Sequence, residues 1–281
     1  MRVLRRLAYL AFALWACFPS LASAQTPSPL QEWQYSSGII LEKLFVPEVP
    51  EWRSVLGFGA EYKPLYDGAE LTRVQGGPVI NVRYRDTAFA SVGEGVGVNL
   101  LHGDNYRAGI LLGYDLGRRE SDDLTHLRGL GDIRWAPVVK VFASYAVSKE
   151  FPLVLRADVR QLIGGADGLV ADFGAYIPLP GSSKKLIMFA GPSITWADRR
   201  YLQKEFGVTP SQSLASGYPV YEAQSGVNGA GFGFTVTRFL TDHWLINLDS
   251  SAEHLLGSAQ DSPITQRTMN YALALSAAYS W

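Results

Sequence analysis

The chain has 281 residues, of which 47% are hydrophobic, 12% aromatic and 18% charged, and its formal net charge is −1. The aromatic and aliphatic content is too high for a disordered chain, and the absence of a basic excess argues against nucleic acid as a partner. All-β chains of about 200–250 residues commonly form one domain, so a single domain is possible.

Residues 1–24 have the features of a secretory signal peptide. A basic start precedes a mostly apolar stretch, and Ala22-Ser23-Ala24 forms an A-x-A site that predicts cleavage before Gln25. An uncleaved membrane anchor is one alternative, although the apolar stretch is shorter than the ~20 residues of a spanning helix. A lipoprotein anchored through Cys17 is another.

Residues 25–281 are expected to form one mature domain. Because Cys17 is the only cysteine, cleavage of the leader would leave a chain without disulfides, thiol nucleophiles or cysteine metal ligands.

The period after the leader is two residues almost everywhere, in segments of about ten residues separated by turn residues. In one segment, Leu153, Leu155 and Val159 alternate with Arg156 and Asp158. A soluble sandwich also alternates, but here the polar faces mix small residues with charges of both signs, as the interior of a membrane barrel does. We therefore predict an all-β fold, a transmembrane antiparallel up-and-down barrel of twelve strands, or ten if the first strand fails. The predicted strands are 34–45, 54–63, 77–85, 87–99, 105–116, 134–147, 151–161, 168–178, 185–196, 226–239, 243–252 and 268–281.

The connections predict an orientation, because short turns of such barrels are periplasmic and long loops extracellular. The short turns 102–105, 148–150, 180–184 and 240–243 fall on one side, and the long segments 117–133, 197–225 and 253–267 fall on the other. One region breaks this rule: the long segment 63–76 falls among the short turns, and the tight turn 85–87 among the long loops.

In the last predicted strand, bulky apolar and aromatic residues alternate with small ones, and the face of bulky residues ends on an aromatic residue. Such a strand resembles the signal read by the outer-membrane barrel assembly machinery, which predicts that machinery and outer-membrane lipid as partners. The residues of this assembly signal are Tyr271, Leu273, Leu275, Tyr279 and Trp281. Aromatic girdles flank the apolar band of a barrel, and five tryptophans fall at predicted strand ends. These are Trp52, Trp135, Trp196, Trp244 and Trp281.

Charged residues on the polar faces form the candidate lumen lining. They are read either as an ion-pair network that plugs a narrow lumen or as the selectivity lining of a small-solute channel. The candidates are Arg83, Arg85, Arg156, Asp158, Arg160, Asp172 and Asp249.

Signs of enzymatic or cofactor chemistry are weak. The four histidines have no metal-ligand spacing, and no cofactor motif is present. Ser251 and His254 are close enough in sequence to suggest a lipid-trimming pair in an extracellular loop, but triads are recognised by geometry rather than by spacing. We expect no enzyme, cofactor or metal.

Several short segments, in order over residues 55–281, resemble the MipA/OmpV family of outer-membrane proteins. They include the G-x-G…Y-x-P-x-Y-x-G opening at 57–68, the L-x-G-L-x-D-I loop at 127–133 and the W-A-D…Y…F-G-V-T…Q segment that starts at Trp196. Residues 25–54 carry no such match.

The resemblance implies a non-enzymatic barrel in the outer membrane of a Gram-negative cell. It also implies a scaffold linking a periplasmic lytic transglycosylase and a murein synthase. Porin-like channels and surface antigens are the alternatives within the family, and no binding residues carry over. The scaffold reading predicts partner contacts at 102–105, 148–150 and 180–184, whereas a surface receptor would use the loop 197–225.

Overall fold

The structure is a computed structural model that describes residues 51–147 and 152–281. Within these residues twelve antiparallel strands form a closed barrel, in which each strand pairs with the next and β1 pairs with β12. The predicted all-β barrel is therefore confirmed. The strands are β1 Trp52–Pro64, β2 Thr72–Tyr84, β3 Ala88–Ser91, β4 Gly95–His102, β5 Tyr106–Asp115, β6 Ala136–Ala146, β7 Val154–Leu162, β8 Gly168–Pro178, β9 Leu186–Ala197, β10 Gly226–Phe239, β11 Trp244–Leu255 and β12 Met269–Ser280.

The alternation of residue types in each strand becomes an alternation of faces. In β6 buried and exposed residues alternate without interruption from Ala136 to Ala146. Val141 and Tyr145 are exposed on the outer surface, whereas Lys140 and Ser144 are buried on the inner one. An apolar exterior around a polar interior is the reverse of a soluble core and suits a barrel surrounded by lipid.

The barrel has two unlike ends. We call the end with the connections 85–87, 103–105, 179–185 and 240–243, which have three to seven residues, the turn end. The opposite end, which holds the longest connections, is the loop end. Its four longest connections are 65–71, 116–135, 198–225 and 256–268.

The strand count of twelve is reached differently from the sequence prediction. The predicted strand 34–45 lies outside the described residues, and the predicted strand 87–99 is a hairpin, β3 and β4, that turns at 92–94. Gly95 has a φ of 107°, which only glycine adopts readily, and it permits this turn. With this correction 65–71 lies at the loop end and 85–87 at the turn end, as the turn-length rule expects, and the three-residue turn 92–94 is a short connection at the loop end.

The β3–β4 hairpin is short, and it leaves part of β2 as an edge. β3 pairs with β2 only from Asn81 to Tyr84. The amide of Val92 donates to the carbonyl of Ile80 at 3.1 Å, so the backbone groups of Ile80 point toward β3. Alternate residues of a strand direct their backbone groups to the same side, so every second residue of β2 between Ile80 and the loop end also points to this side. No described strand pairs with β2 there. Pro78 lies on that side, where its missing N–H leaves no donor unpaired.

The loops close the loop end with a small core of their own. Side chains from all four long connections form it, and they are Tyr66, Ala69, Leu127, Leu130, Val208 and Ile264. The connection 198–225 contains α1 Arg199–Phe206 and α2 Pro210–Ser216, and the last connection contains α3 Gly257–Gln260. Among the described residues, no helix has both the length and the apolar character needed to cross a membrane.

The first helix enters the mouth of the barrel. Asp198 caps α1 by accepting a hydrogen bond from the amide of Tyr201 at 2.9 Å. Leu202 and Phe206 are buried against inward-facing residues of the wall, including Val170. The helix is thereby fixed inside the rim rather than above it.

The five tryptophans lie near strand ends with exposed rings, as expected for girdles. Trp52, Trp244 and Trp281 belong to the turn end, and Trp135 and Trp196 to the loop end. The ring of Tyr279 contacts both Trp244, at 5.4 Å between centroids, and Trp281, at 5.8 Å. An aromatic cluster of this kind suits the interfacial region of a bilayer.

Candidate functional site

Six of the seven candidate lumen residues lie on the inner face and are at most 9% exposed. These are Arg83, Arg156, Asp158, Arg160, Asp172 and Asp249. Arg85 differs, because β2 ends at Tyr84 and Arg85 adopts a φ of 49° in the turn. Its side chain is exposed at the turn end and pairs with Glu51 at 2.7 Å.

The buried charges form a network across β6, β7 and β8. Asp158 lies 3.4 Å from Arg156, 3.9 Å from Lys140 and 4.0 Å from Arg160. Arg160 is also 2.5 Å from Asp172. Asp158 and Asp172 are direct cross-strand neighbours, and like charges in that position repel unless cations surround them.

Further charged side chains join the interior that were not among the sequence candidates. Glu94 lies 3.9 Å from Arg156, Lys63 pairs with Glu61 at 2.8 Å, and Arg107 pairs with Asp86. The interior position of Lys63, Arg107 and Lys140 could have been predicted from the sequence, because each lies at an even spacing from other inward-facing residues of its strand. Glu94 lies in the unforeseen β3–β4 turn and offered none.

The network fills the lumen at mid-height. Lys140, Arg156 and Asp158 are each at most 6% exposed, so a water-sized sphere barely reaches them. Buried charges of this density are tolerated only when paired. The arrangement can hold the strands in register, and in the part of the chain that the structure describes these three side chains have little contact with water.

A cavity of about 110 Å³ remains between this network and the loop end. We call it the loop-end chamber. Residues of the wall strands line it together with α1 and the connections on either side. Its charged or polar lining side chains are Glu61, Lys63, Asp67, Asp115, Arg118, Arg160, Ser193, Thr195, Tyr201, Glu205, Asn228, Ser251, Glu253 and Asn270.

A β-bulge delivers one of these residues to the chamber. The register of β9 and β10 shifts between Val227 and Gly229, which makes Asn228 the extra residue. Asn228 and Gly229 are both buried, whereas regular alternation would turn one of them outward. A Cβ on Gly229 would lie 2.2 Å from the carboxylate Oε1 of Glu253, so the glycine makes room for that carboxylate.

The helix α1 closes the chamber with Tyr201 and Glu205. Arg118 Nη1 donates to the backbone carbonyl of Glu205 at 2.8 Å. Burial raises the pKa of Glu205 to about 7, with Arg118 opposing the rise and the carboxylates of Asp115 and Asp67 adding to it. Burial also raises the pKa of the Tyr201 hydroxyl well above its usual range. The lid of the chamber therefore contains a carboxyl group that titrates near neutral pH.

The suggested pair Ser251 and His254 does not form a catalytic site. Both lie in β11 rather than in a loop, and an odd separation in a strand places them on opposite faces. Ser251 lines the chamber. No group of three or more potential metal ligands occurs among the described residues.

The side chains of the predicted assembly signal point outward from β12. Tyr271, Leu273, Leu275 and Trp281 are 46–60% exposed, and Tyr279 belongs to the aromatic cluster of the turn end. The predicted cleavage residues Ala22, Ala24 and Gln25 lie outside the described residues.

Solved outer-membrane proteins share the barrel architecture at low similarity. An outer membrane channel from Pseudomonas putida F1 matches with 8% identity and a TM-score of 0.41, over 83% of this chain and 97% of its own. The CymD monoaromatic hydrocarbon channel matches with 7% identity and a TM-score of 0.39, over 94% and 98%. An anion-selective porin from Comamonas acidovorans matches with 8% identity and a TM-score of 0.35, over 88% and 100%.

No curated protein matches the chain. The family described as MltA-interacting protein MipA matches residues 56–281, from β1 to the last residue. This range includes all twelve strands except the first residues of β1, together with every loop of the loop end. The chain therefore belongs to the MltA-interacting protein (MipA) family of outer-membrane barrels.

Proposed function

We propose that the protein is a non-enzymatic scaffold in the outer membrane that holds peptidoglycan-remodelling enzymes in the periplasm, namely a lytic transglycosylase and a murein synthase. The observation that carries this proposal is the filled lumen, in which Arg156, Asp158 and Lys140 are paired and buried. A barrel filled in this way offers its two ends, rather than a pore, for function. The family description, which names an interaction with MltA, supports a partner of this class.

The turn end is the surface that we assign to these partners, because short turns of bacterial barrels face the periplasm. Lys184, Lys185 and Arg238 are all exposed there. The amide of Phe239 donates to the carbonyl of Lys185 at 2.9 Å, which holds the two adjacent turns together. These residues form a basic patch that suits an acidic surface on a partner. Of the turns proposed from the sequence, 180–184 contributes to this patch, 102–105 lies on the same end, and 148–150 lies outside the described residues.

Capture of murein enzymes from a detergent-solubilised envelope extract tests the scaffold. Tagged full-length protein is expected to retain both enzymes, and Lys184→Glu with Lys185→Glu is expected to release at least one. The matched control is Arg199→Glu with Arg200→Glu, two exposed cations at the loop end. Retention by the turn-end variant, or release by the control alone, would overturn the assignment of the partner surface.

Two further experiments separate the scaffold from its alternatives. A small-solute channel would give conductance steps in planar bilayers, which the filled lumen is expected to prevent. A surface receptor would act through 197–225, where Leu214 is 92% exposed, and deleting that loop would abolish binding to cells or phage. We expect neither conductance steps nor a loss of binding to cells or phage when 197–225 is deleted.

Export and assembly complete the proposal. We expect the leader 1–24 to be removed, so that the mature chain begins at Gln25, which N-terminal sequencing checks. We expect the outward face of β12 to be recognised by the barrel assembly machinery. Replacing Trp281 by Ser is then expected to reduce the amount of barrel in the outer membrane, and normal amounts would count against that recognition.

A further inference from the structure

The loop-end chamber has an excess of acidic groups. Five carboxyl groups line it, against three cationic side chains. Two of these cations form ion pairs: Lys63 pairs with Glu61 at 2.8 Å, and Arg160 pairs with Asp172 at 2.5 Å. Asp172 is not among the lining residues, so Arg160 shares its charge with a carboxylate outside the chamber. An enclosed space with more carboxyl groups than cationic groups favours a bound cation, because the cation offsets the cost of ionising carboxyl groups that are buried.

Two buried amides leave hydrogen-bonding atoms without partners at the same place. Asn228 and Asn270 line the chamber and are each 7% exposed. Oδ1 of Asn228 and Nδ2 of Asn270 have no hydrogen-bond partner, although Oδ1 of Asn270 accepts from the amide of Gly68 at 3.1 Å. Native proteins rarely leave such buried atoms unpaired unless a water or a ligand meets them. The chamber therefore offers one free acceptor and one free donor beside the acidic groups.

The bulge in β10 strengthens this reading. A regular strand would not place both Asn228 and Gly229 inside, and the bulge directs the asparagine into the chamber next to the carboxylate that Gly229 accommodates. Bulges of this kind commonly redirect a side chain at a binding or active site.

We propose that the loop-end chamber binds a small organic cation, a primary amine of amino-alcohol type. The ammonium group would donate to Glu253 and to Oδ1 of Asn228, and the second polar group would accept from Nδ2 of Asn270. The volume of about 110 Å³ admits about four non-hydrogen atoms, since a water molecule in the liquid occupies about 30 Å³. A metal ion fits less well, because the described residues contain no group of three metal ligands. This binding is independent of the scaffold at the turn end.

Ligand binding to the full mature protein in detergent micelles tests the proposal. Ethanolamine, titrated calorimetrically up to about 10 mM, is expected to bind and to raise the melting temperature. Ethylene glycol has the same size without the charge, and acetate has the opposite charge, so neither is expected to do so. Equal responses to ethanolamine and ethylene glycol, or no response to ethanolamine, would overturn the proposal on the wild-type protein alone.

Two variants locate the binding. Glu253→Gln is expected to weaken ethanolamine binding about tenfold or more, because it removes the charged partner of the ammonium group. Asn228→Ala is expected to weaken binding about tenfold, because it removes a neutral acceptor that is hydrogen-bonded to a charged group. Glu222→Gln is the control, because it removes a carboxylate at the loop end that is 71% exposed and outside the chamber. Unchanged binding in both chamber variants would place the amine elsewhere and overturn the assignment.

Discussion

Arg160 of β7 and Asp172 of β8 form an ion pair inside the barrel, with 2.5 Å between Nη1 and Oδ2. Thr195 donates to the other carboxylate oxygen at 2.6 Å. Removing one partner of a buried pair leaves the other charge uncompensated, so we expect Asp172→Ala to lower the free energy of unfolding by about 3–5 kcal/mol. Urea unfolding in micelles, followed by tryptophan fluorescence, measures this change.

An exposed ion pair provides the control for that measurement. Arg199 and Glu222 lie 2.9 Å apart at the loop end, with side chains 58% and 71% exposed. Replacing Glu222 by Ala is expected to cost less than about 1 kcal/mol, because water screens exposed pairs. Similar losses in the two variants would contradict a buried role for the Arg160–Asp172 pair.

Conductance should appear only when both the network at mid-height and the closed loop end are removed. The triple variant Arg156→Ala, Asp158→Ala and Arg160→Ala removes two cations and one anion from the network, and deletion of 198–225 removes α1 and part of the loop-end core. We expect no conductance steps in planar bilayers from the wild-type protein and steps from the triple variant that also lacks 198–225. Steps in the wild type would show that the lumen is open and would favour the channel.

The packing of α1 should depend on pH through Glu205. Because its pKa is raised from 4.5 to about 7, the folded state binds this proton more tightly than the unfolded state does. The corresponding stability is fully present below pH 4.5 and is lost as the pH rises through 7. We expect proteolysis within 198–225 to be faster at pH 8 than at pH 5.5. Glu205→Gln should remove most of this difference, and Glu222→Gln should retain it.

The junction of β1 and β12 should be sensitive to a single methyl group. A Cβ on Gly57 would lie 2.2 Å from the carbonyl oxygen of Ala277 and 2.6 Å from Cα of Ala278. Backbone atoms cannot move aside, so Gly57→Ala is expected to destabilise the barrel by about 1–3 kcal/mol, the usual cost of overpacking. In Gly77→Ala, by contrast, the new Cβ has nothing within 4 Å, and stability should be unchanged or slightly higher. Heat-modifiability on gels compares the two variants.

The sequence predicted the wall of the barrel well, because the alternation of apolar and polar residues within each strand shows which side chains face outward and which face inward. The bounds 168–178 and 226–239 agree with β8 and β10 to the residue. The segment 87–99 was predicted as one strand, whereas the chain turns at 92–94, next to Gly95 with its positive φ, and forms two strands. Arg85 was predicted to face the interior because it follows the inward-facing Arg83 by two residues. This spacing does not show that the strand ends at Tyr84.

The loop-end chamber was beyond prediction from the sequence. Its walls come from β1, β5, β7, β8, β9, β10, β11 and β12, and its lid from α1. The eight residues of α1 are too few to show a helical period, and the bulge at Asn228 breaks the alternation on which the strand prediction relied. Only the closed barrel brings Glu205, Asn228 and Glu253 together.

The short β3–β4 hairpin determines where the barrel is weakest. β3 pairs with each of its neighbours through only four residues, whereas β1 and β12, where the described wall closes, share eight pairs and β1 and β2 share thirteen. Backbone amides at the unpaired edge of β2, such as those of Val74 and Gly76, should exchange with deuterium before those of any other long strand. Thermal separation of the wall should therefore begin between β2 and β4 rather than at the junction of β1 and β12.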